Sequence, residues 1–375
     1  MINCLYCNKN QTQSFLTVKT PNILQASSFE RAKLGKIIQQ EIYLCPNCYL
    51  GFSQSNEIES YDYKEYHYLS PSSGLGHEQY KNFLNLLIKH SKPSDNILEI
   101  GCSDGHLLQQ LKQKGFSSLS GIEPGPLADL ALAKNLNVKK AYFTSGMYSP
   151  NSVSVIYLMH VLEHFSRPKE IIKEMIEILT DSGKIILEVP HFTAFEPEHV
   201  LYINLPFLFK LAEDFSLTFA EIYHDDNVLG VVLNKKKSSE SKLISWENCL
   251  EIFDHQKKLA LESEIKIKET MSKLEKFLIS NNQDEIYWWG AGSSSIVYLN
   301  MLPSKVLDQC KIVVLDGDSK KQGLNIPMNM LEIRPKSLIA NKNIKKIVVA
   351  SSFFEEIKSS LKDQGTTYEE ILNVF

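Results

Sequence analysis

The chain has 375 residues, 22% charged and 43% hydrophobic, with a formal net charge of −4. That length holds two or three domains and an ample core, and the acidic balance removes the global positive field that draws nucleic acid. No apolar run reaches the roughly 18 residues of a membrane helix, and Met1-Ile-Asn-Cys-Leu-Tyr-Cys7 lacks the basic-then-apolar layout of a secretion signal, so a cytoplasmic location is expected.

Four of the seven cysteines form two C-x-x-C pairs, Cys4/Cys7 and Cys45/Cys48. Two such pairs complete a tetrahedral Cys₄ site, and four thiolates leave no open position, so a structural zinc is expected. Phe15–Val18 and Glu41–Leu44 read as the strands that fold the pairs together. No thioredoxin-like βαβ pattern surrounds either pair, which argues against a redox role.

Residues 61–73 hold Tyr61, Tyr63, Tyr66 and Tyr68, followed by Ser70, Ser72 and Ser73. The segment reads as a loop that either packs the zinc module or covers a site with phenolic hydroxyls. A helix is expected from Glu78 to His90.

Residues 95 to about 235 alternate strand and helix patterns, the signature of a mostly parallel sheet covered on both faces. The expected strands are 96–100, 118–122, 153–158, 184–189 and 228–233. Ile97-Leu-Glu-Ile100 runs into Gly101 and Gly105, and Leu107, Leu108 and Leu111 then start a helical spacing. A strand, a glycine turn and a helix start suit a ligand, because glycine lets the backbone come close and the helix presents free N–H groups. Glu123 ends the next strand, about 20 positions on, where a carboxylate can accept from both ribose hydroxyls. These features fit any nucleoside-type ligand and do not separate NAD from S-adenosylmethionine.

Residues 238–283 place apolar side chains at helical spacing among Lys and Glu, as one long amphipathic helix or two joined ones. Residues 284–375 return to strand–helix alternation, with strands at 285–289, 311–315 and 345–350 followed by helices. Gly290-Ala-Gly292 sits at its first strand-to-helix turn, a place where phosphate can bind.

Three motifs resemble those of class I S-adenosylmethionine-dependent methyltransferases. Glu99-Ile-Gly101-Cys-Ser-Asp-Gly105 is similar to their first motif, Met159-His-Val-Leu-Glu-His164 to the motif after their fourth strand, and Asp181-Ser-Gly-Lys184 to the turn before their fifth. The resemblance implies cofactor contacts from Glu99, Gly101, Ser103, Asp104, Gly105, Glu123, Pro124 and His160. The acid that often holds adenine is missing after Lys140.

The order of parts is similar to that of nucleotide-sugar C-methyltransferases, which act on keto-deoxysugars. Their lid looks like Tyr66-His-Tyr68-Leu-Ser70-Pro-Ser-Ser73, and their E-H-x-x-Y pair looks like Glu198-His199-Val-Leu-Tyr202. Their C-terminal segments look like Trp289-Gly-Ala-Gly292 and Asp316 to Pro327. This resemblance implies His199 as base, Glu198 as its support, Tyr66 and Tyr68 on the substrate oxygen, and a substrate nucleotide near Gly290, Gly292 and Asp316. Two departures are a shorter loop before Glu198 and serines where a lysine usually follows the second glycine turn. The implied fold class is α/β, a Rossmann-like methyltransferase core flanked by an N-terminal zinc module and a smaller C-terminal Rossmann-like domain. The expected divisions are 1–75, 76–236, 237–283 and 284–375.

The expected acceptor is therefore a small molecule, a nucleotide-linked sugar, with no nucleic acid and no membrane, in a monomer or homodimer. O- or N-methylation of another small molecule, such as a surface-glycan precursor, is the alternative enzyme reading. A non-catalytic binding protein of the same fold is the alternative from another class.

Overall fold

The computed structural model describes residues 2–53, 74–236, 244–351 and 353–374. The tyrosine-rich segment, with Tyr66 and Tyr68, lies outside the described residues. The chain divides into two compact units: Met1–Thr17 with Glu41–Ala260, and Val18–Gln40 with Leu261–Phe375. No helix among the described residues is long and apolar enough to cross a membrane.

The elements begin with β1 (Gln13–Pro21), α1 (Phe29–Ala32), β2 (Ile37–Leu44), β3 (Gly51–Ser53) and α2 (Gly74–His90). The first unit continues with β4 (Asn96–Ile100), α3 (His106–Gln113), β5 (Ser118–Ile122), α4 (Leu127–Ala133) and β6 (Val138–Lys139). Then come β7 (Val153–Met159), α5 (Pro168–Ile178), β8 (Leu179–Pro190), β9 (Leu201–Tyr202), α6 (Leu205–Asp214), β10 (Thr218–His224) and β11 (Val228–Asn234). One helix, α7 (Trp246–Ser280), covers the amphipathic stretch.

Seven strands form one sheet in the order β10-β11-β8-β7-β4-β5-β6. The five from β8 to β6 run parallel, and β11 and β10 are antiparallel additions. Side-chain alternation splits the core across the sheet. Leu98, Ile156 and Leu158 pack on one face with Ile172 of α5 and Phe207 of α6. Ile97, Val155 and Tyr157 pack on the other with Phe83 of α2 and Leu107 of α3. β4 has β5 on one side and β7 on the other, so the crossovers leave it in opposite directions. In an open α/β sheet that switch point opens a crevice at the strands' C-terminal ends, the standard place for a ligand.

The second unit adds β12 (Glu285–Trp289), α8 (Ser293–Met301), α9 (Ser304–Leu307), β13 (Lys311–Asp316), β14 (Ile333–Pro335), β15 (Asn343–Val349), α10 (Phe354–Asp363) and β16 (Thr367–Asn373). Its sheet, β14-β13-β12-β15-β16, is parallel throughout. The end of the chain corrects the expectation of helices alone. After α10 it forms β16, because Tyr368, Ile371 and Leu372 pack inward while the rest of this edge strand is polar. The stretch between the two cysteine pairs also feeds this unit. Leu24 and Ala26 join its apolar core, and Ser27 and Asn325 exchange backbone hydrogen bonds of 3.0 and 2.8 Å.

Candidate active site

The turn after β4 bends through left-handed backbone at Gly101 (φ 77°), Ser103 (φ 47°) and Gly105 (φ 73°). A side chain on Gly101 would meet Val161 at 2.4 Å, and one on Gly105 would meet Leu136 at 2.4 Å, so close packing as well as conformation calls for glycine there. Gly101 and Cys102 donate their N–H groups to the Ile122 carbonyl at 2.8 and 3.0 Å. Gly105 is the N-cap of α3, which follows at once.

Glu123, at the end of β5, closes the turn. Its carboxylate accepts from the Ser103 N–H at 3.0 Å and the Gly125 N–H at 2.7 Å, with Pro124 between. Burial raises its pKa, and the two backbone donors oppose that. Asp104 receives Lys134 Nζ at 3.0 Å. Glu99, 4% exposed, accepts from the Tyr157 hydroxyl at 2.8 Å. Burial pushes its carboxyl up to about 8, the Tyr157 hydroxyl acts against this, and the Asp104 and Glu123 charges add to it. The buried acid at a strand end and the glycine cradle fit a nucleoside diol and backbone-held polar groups, and therefore fit S-adenosylmethionine. Glu99, Gly101, Ser103, Asp104, Gly105 and Glu123 are the residues that would hold it.

Val161 also leads to the other side of the crevice, since it lies between His160, at the end of β7, and Glu163. His160 adopts φ 54°, and its N–H donates to the Glu188 carbonyl at 2.8 Å. Its Nε2 is 3.3 Å from Glu188 Oε1 and its Nδ1 is 3.9 Å from Glu163 Oε1. Burial alone would lower the His160 pKa, but the Glu188 contact and the Glu163 charge outweigh it and raise it. Glu188 also accepts from the Tyr223 hydroxyl.

His199, 5% exposed, has Nδ1 3.0 Å from the Ala194 carbonyl and Nε2 3.9 Å from Glu196 Oε2. A carbonyl only accepts, so Nδ1 carries the hydrogen and Nε2 the lone pair. Burial pushes its pKa down to about 4, and the ring is neutral at physiological pH. Glu198 turns its carbonyl toward His164 Nδ1, 3.1 Å away, so the acid nearest His199 in the ion-pair geometry is Glu196. Glu188 and Glu196 escaped the reading of the sequence, whereas Glu163 stood in the motif after the fourth strand. The available signal was Glu188, an acid inside the apolar run Ile185-Ile-Leu-Glu188-Val189.

The two cysteine pairs meet in the first unit. The four Sγ atoms lie within 4.8 Å of one another, with Cys4–Cys48 and Cys7–Cys45 both at 3.5 Å. That is beyond a disulfide and close to the roughly 3.7 Å edge of a tetrahedron with 2.3 Å metal–sulfur bonds. Each pair closes with the same turn: Asn8 (φ 57°) donates to the Cys4 carbonyl at 3.0 Å, and Tyr49 (φ 64°) to the Cys45 carbonyl at 2.8 Å. The donor set fits zinc.

In the second unit, Gly290 (φ 109°) and Gly292 precede α8. Asp316 accepts from the Ala291 N–H at 2.8 Å and the Asp318 N–H at 2.8 Å. Ser295, in the serine run that replaces the lysine, bridges Trp288 Nε1 and the Gly290 carbonyl at 3.0 and 2.6 Å.

A glycine turn at the switch point of this sheet, with an acid ending the next strand, makes a site for a nucleoside-type ligand. Residues 74–217 match the model of a methyltransferase domain. A curated relative, the tRNA U34 carboxymethyltransferase of Helicobacter pylori strain Shi470, is 29% identical over 114 residues, which are 27% of this chain and 44% of that protein. The chain thus spans under half the length of the curated relatives it matches. Among solved structures, a methyltransferase from Aquifex aeolicus is 14% identical, with 42% of this chain and 97% of that chain covered and a TM-score of 0.34. The magnesium protoporphyrin IX methyltransferase of Synechocystis PCC 6803 is 13% identical, with 42% and 78% covered and a TM-score of 0.35.

Proposed function

We propose that this chain methylates carbon in a nucleotide-linked keto-deoxysugar with S-adenosylmethionine as donor. The observation that carries the reading is the packing of Gly101 on Val161, which sets the donor turn directly beside the His160–Glu163–His164–His199 cluster. Bound S-adenosylmethionine supplies an electrophilic methyl group. Carbon methylation also needs a proton removed beside a carbonyl and the resulting enolate oxygen held. His199 faces the acceptor and acts on it through Nε2, with Glu198 holding His164 by its carbonyl and Tyr66 and Tyr68 contacting the substrate oxygen. Within the second unit, the turn at Gly290 and Gly292, with Asp316, is the candidate for binding a nucleotide. The four cysteines hold a structural zinc.

The test is a methyl-transfer screen over nucleotide-linked keto-sugars, read with deuterium exchange beside the carbonyl. Exchange that needs His199 supports the enolate route. Methyl transfer without exchange moves the reading to O- or N-methylation of a hydroxyl or amine. The name of the Helicobacter relative raises tRNA as an acceptor, and transcripts belong in the same screen. The net charge of −4 is unfavourable for a phosphate-backbone partner, so no transfer to them is expected. Calorimetry with S-adenosylmethionine comes first, since a chain that does not bind it is a binding protein of another kind.

A further inference from the structure

We infer that Glu163, His164 and His199 form a site for one divalent first-row transition ion beside the donor turn. One ligand atom from each lies within 4.8 Å of the other two. The site is built from two chain segments laced together by backbone. The Val200 N–H donates to the Glu163 carbonyl at 2.9 Å, and His164 Nδ1 lies 3.1 Å from the Glu198 carbonyl. His199 Nδ1 is tied to the Ala194 carbonyl in the same way. With Nδ1 holding hydrogen in both rings, Nε2 is the nitrogen left to ligate. Metal-binding histidines are held in this manner, the outer nitrogen bonded to a fixed acceptor and the inner one aimed at the ion. The two rings stand 5.2 Å apart, centre to centre.

A second observation points to a ligand independently. Glu163 is 1% exposed, and both of its carboxylate oxygens are buried without a hydrogen-bond partner among the described residues. The nearest cationic candidates, His164 Nε2 and His160 Nδ1, each stand 3.9 Å away, too far for a hydrogen bond. Buried carboxylates are normally paired or bound to metal.

Two imidazoles and one carboxylate suit zinc, iron, cobalt or manganese better than magnesium or calcium. Metal bonds of about 2.1 Å set tetrahedral ligand atoms roughly 3.4 Å apart, so the three must draw inward by about 1 Å as the ion enters. Three protein ligands leave at least one position for an acceptor oxygen. An oxygen bound there becomes more acidic, as does a C–H beside a bound carbonyl. With the ion bound, His199 Nε2 is a ligand, and the part of His199 is then to hold the ion rather than to take a proton itself. The inference rests on the methyltransferase reading for this role alone, and the ion site stands without it.

The test titrates Co²⁺ into the full chain after zinc has filled the cysteine cluster. The expected result is one Co²⁺ per chain, with visible d–d absorption and no thiolate charge-transfer band. Glu163→Gln and His199→Gln should each weaken binding about tenfold or more. His191→Gln is the control. It lines the same crevice but is tied to Thr193 and Gln256, and it should leave Co²⁺ affinity unchanged. S-adenosylhomocysteine binding by each variant confirms that it is folded. Absence of Co²⁺ binding, a thiolate band alone, or binding that both ligand variants leave intact overturns the site. Co²⁺ binding by a chain that fails to bind S-adenosylhomocysteine would instead keep the site and overturn the methyltransferase reading.

Discussion

Gly101→Ala tests whether the donor turn is held by conformation, by packing, or by both. At φ 77° a side chain costs about 1–2 kcal/mol on conformation alone. The new Cβ would also sit 2.4 Å from Val161 Cγ2 and 3.0 Å from Cγ1, an overlap worth about 1–3 kcal/mol. The single variant should therefore lose about 2–5 kcal/mol in urea unfolding and bind S-adenosylhomocysteine more weakly by calorimetry. Val161→Ala removes both methyls and leaves the Val161 Cβ, 3.3 Å from that side chain, as its remaining contact at this residue. In that background Gly101→Ala should lose only the conformational part, so the pair should couple by about 1–3 kcal/mol. A loss under about 0.5 kcal/mol, or an equal loss in both backgrounds, would refute the reasoning.

Three further outcomes are expected. Glu123→Gln replaces one acceptor with an amide NH₂ facing a backbone N–H, and should lose about 1–3 kcal/mol of stability together with cofactor affinity, read by urea unfolding and calorimetry. Glu99 titrates near 8 when folded against 4.5 when unfolded, so its stabilising contribution is full below about pH 4.5 and is lost as pH rises toward 8. The fall is at most on the order of 5 kcal/mol, and Glu99→Gln should flatten it in unfolding measured across pH; equal slopes would remove Glu99 as its source. The purified chain should carry one zinc by elemental analysis, and Cys45→Ser or chelation should remove it and lower the melting temperature; a metal-free wild type that zinc does not stabilise would reject the four-thiolate site.

Buried parallel strands were the most legible parts of the fold. β4, β5 and β12 have the bounds expected from the sequence, because β4 and β12 are short, largely apolar runs and β5 runs from the turn after Gly115 to the acid and proline at Glu123-Pro124. β10 and β16 were not expected. Both are edge strands with polar residues through their length, and pairing with a neighbour decides their conformation more than their own pattern does. The two cysteine pairs and the glycine turn were legible because their residue types carry the chemistry at fixed short spacing. The segment between the cysteine pairs gave no sign that Leu24 and Ala26 would pack in the second unit's core, since that contact joins residues about three hundred positions apart.

By itself the sequence determined the alternation that makes the α/β sheets, the thiolate set, and the turn and acid that suit a nucleoside. These depend on side chains within a few positions of one another, where backbone geometry leaves little choice. Only the tertiary structure decided what surrounds His199. It set the imidazole's hydrogen on Nδ1 against Ala194, put Glu196 nearest its Nε2, and buried Glu163 between strand ends beside His164. Those relations arise where β7, β8 and the loop before β9 converge, and no spacing along the chain encodes a distance between them.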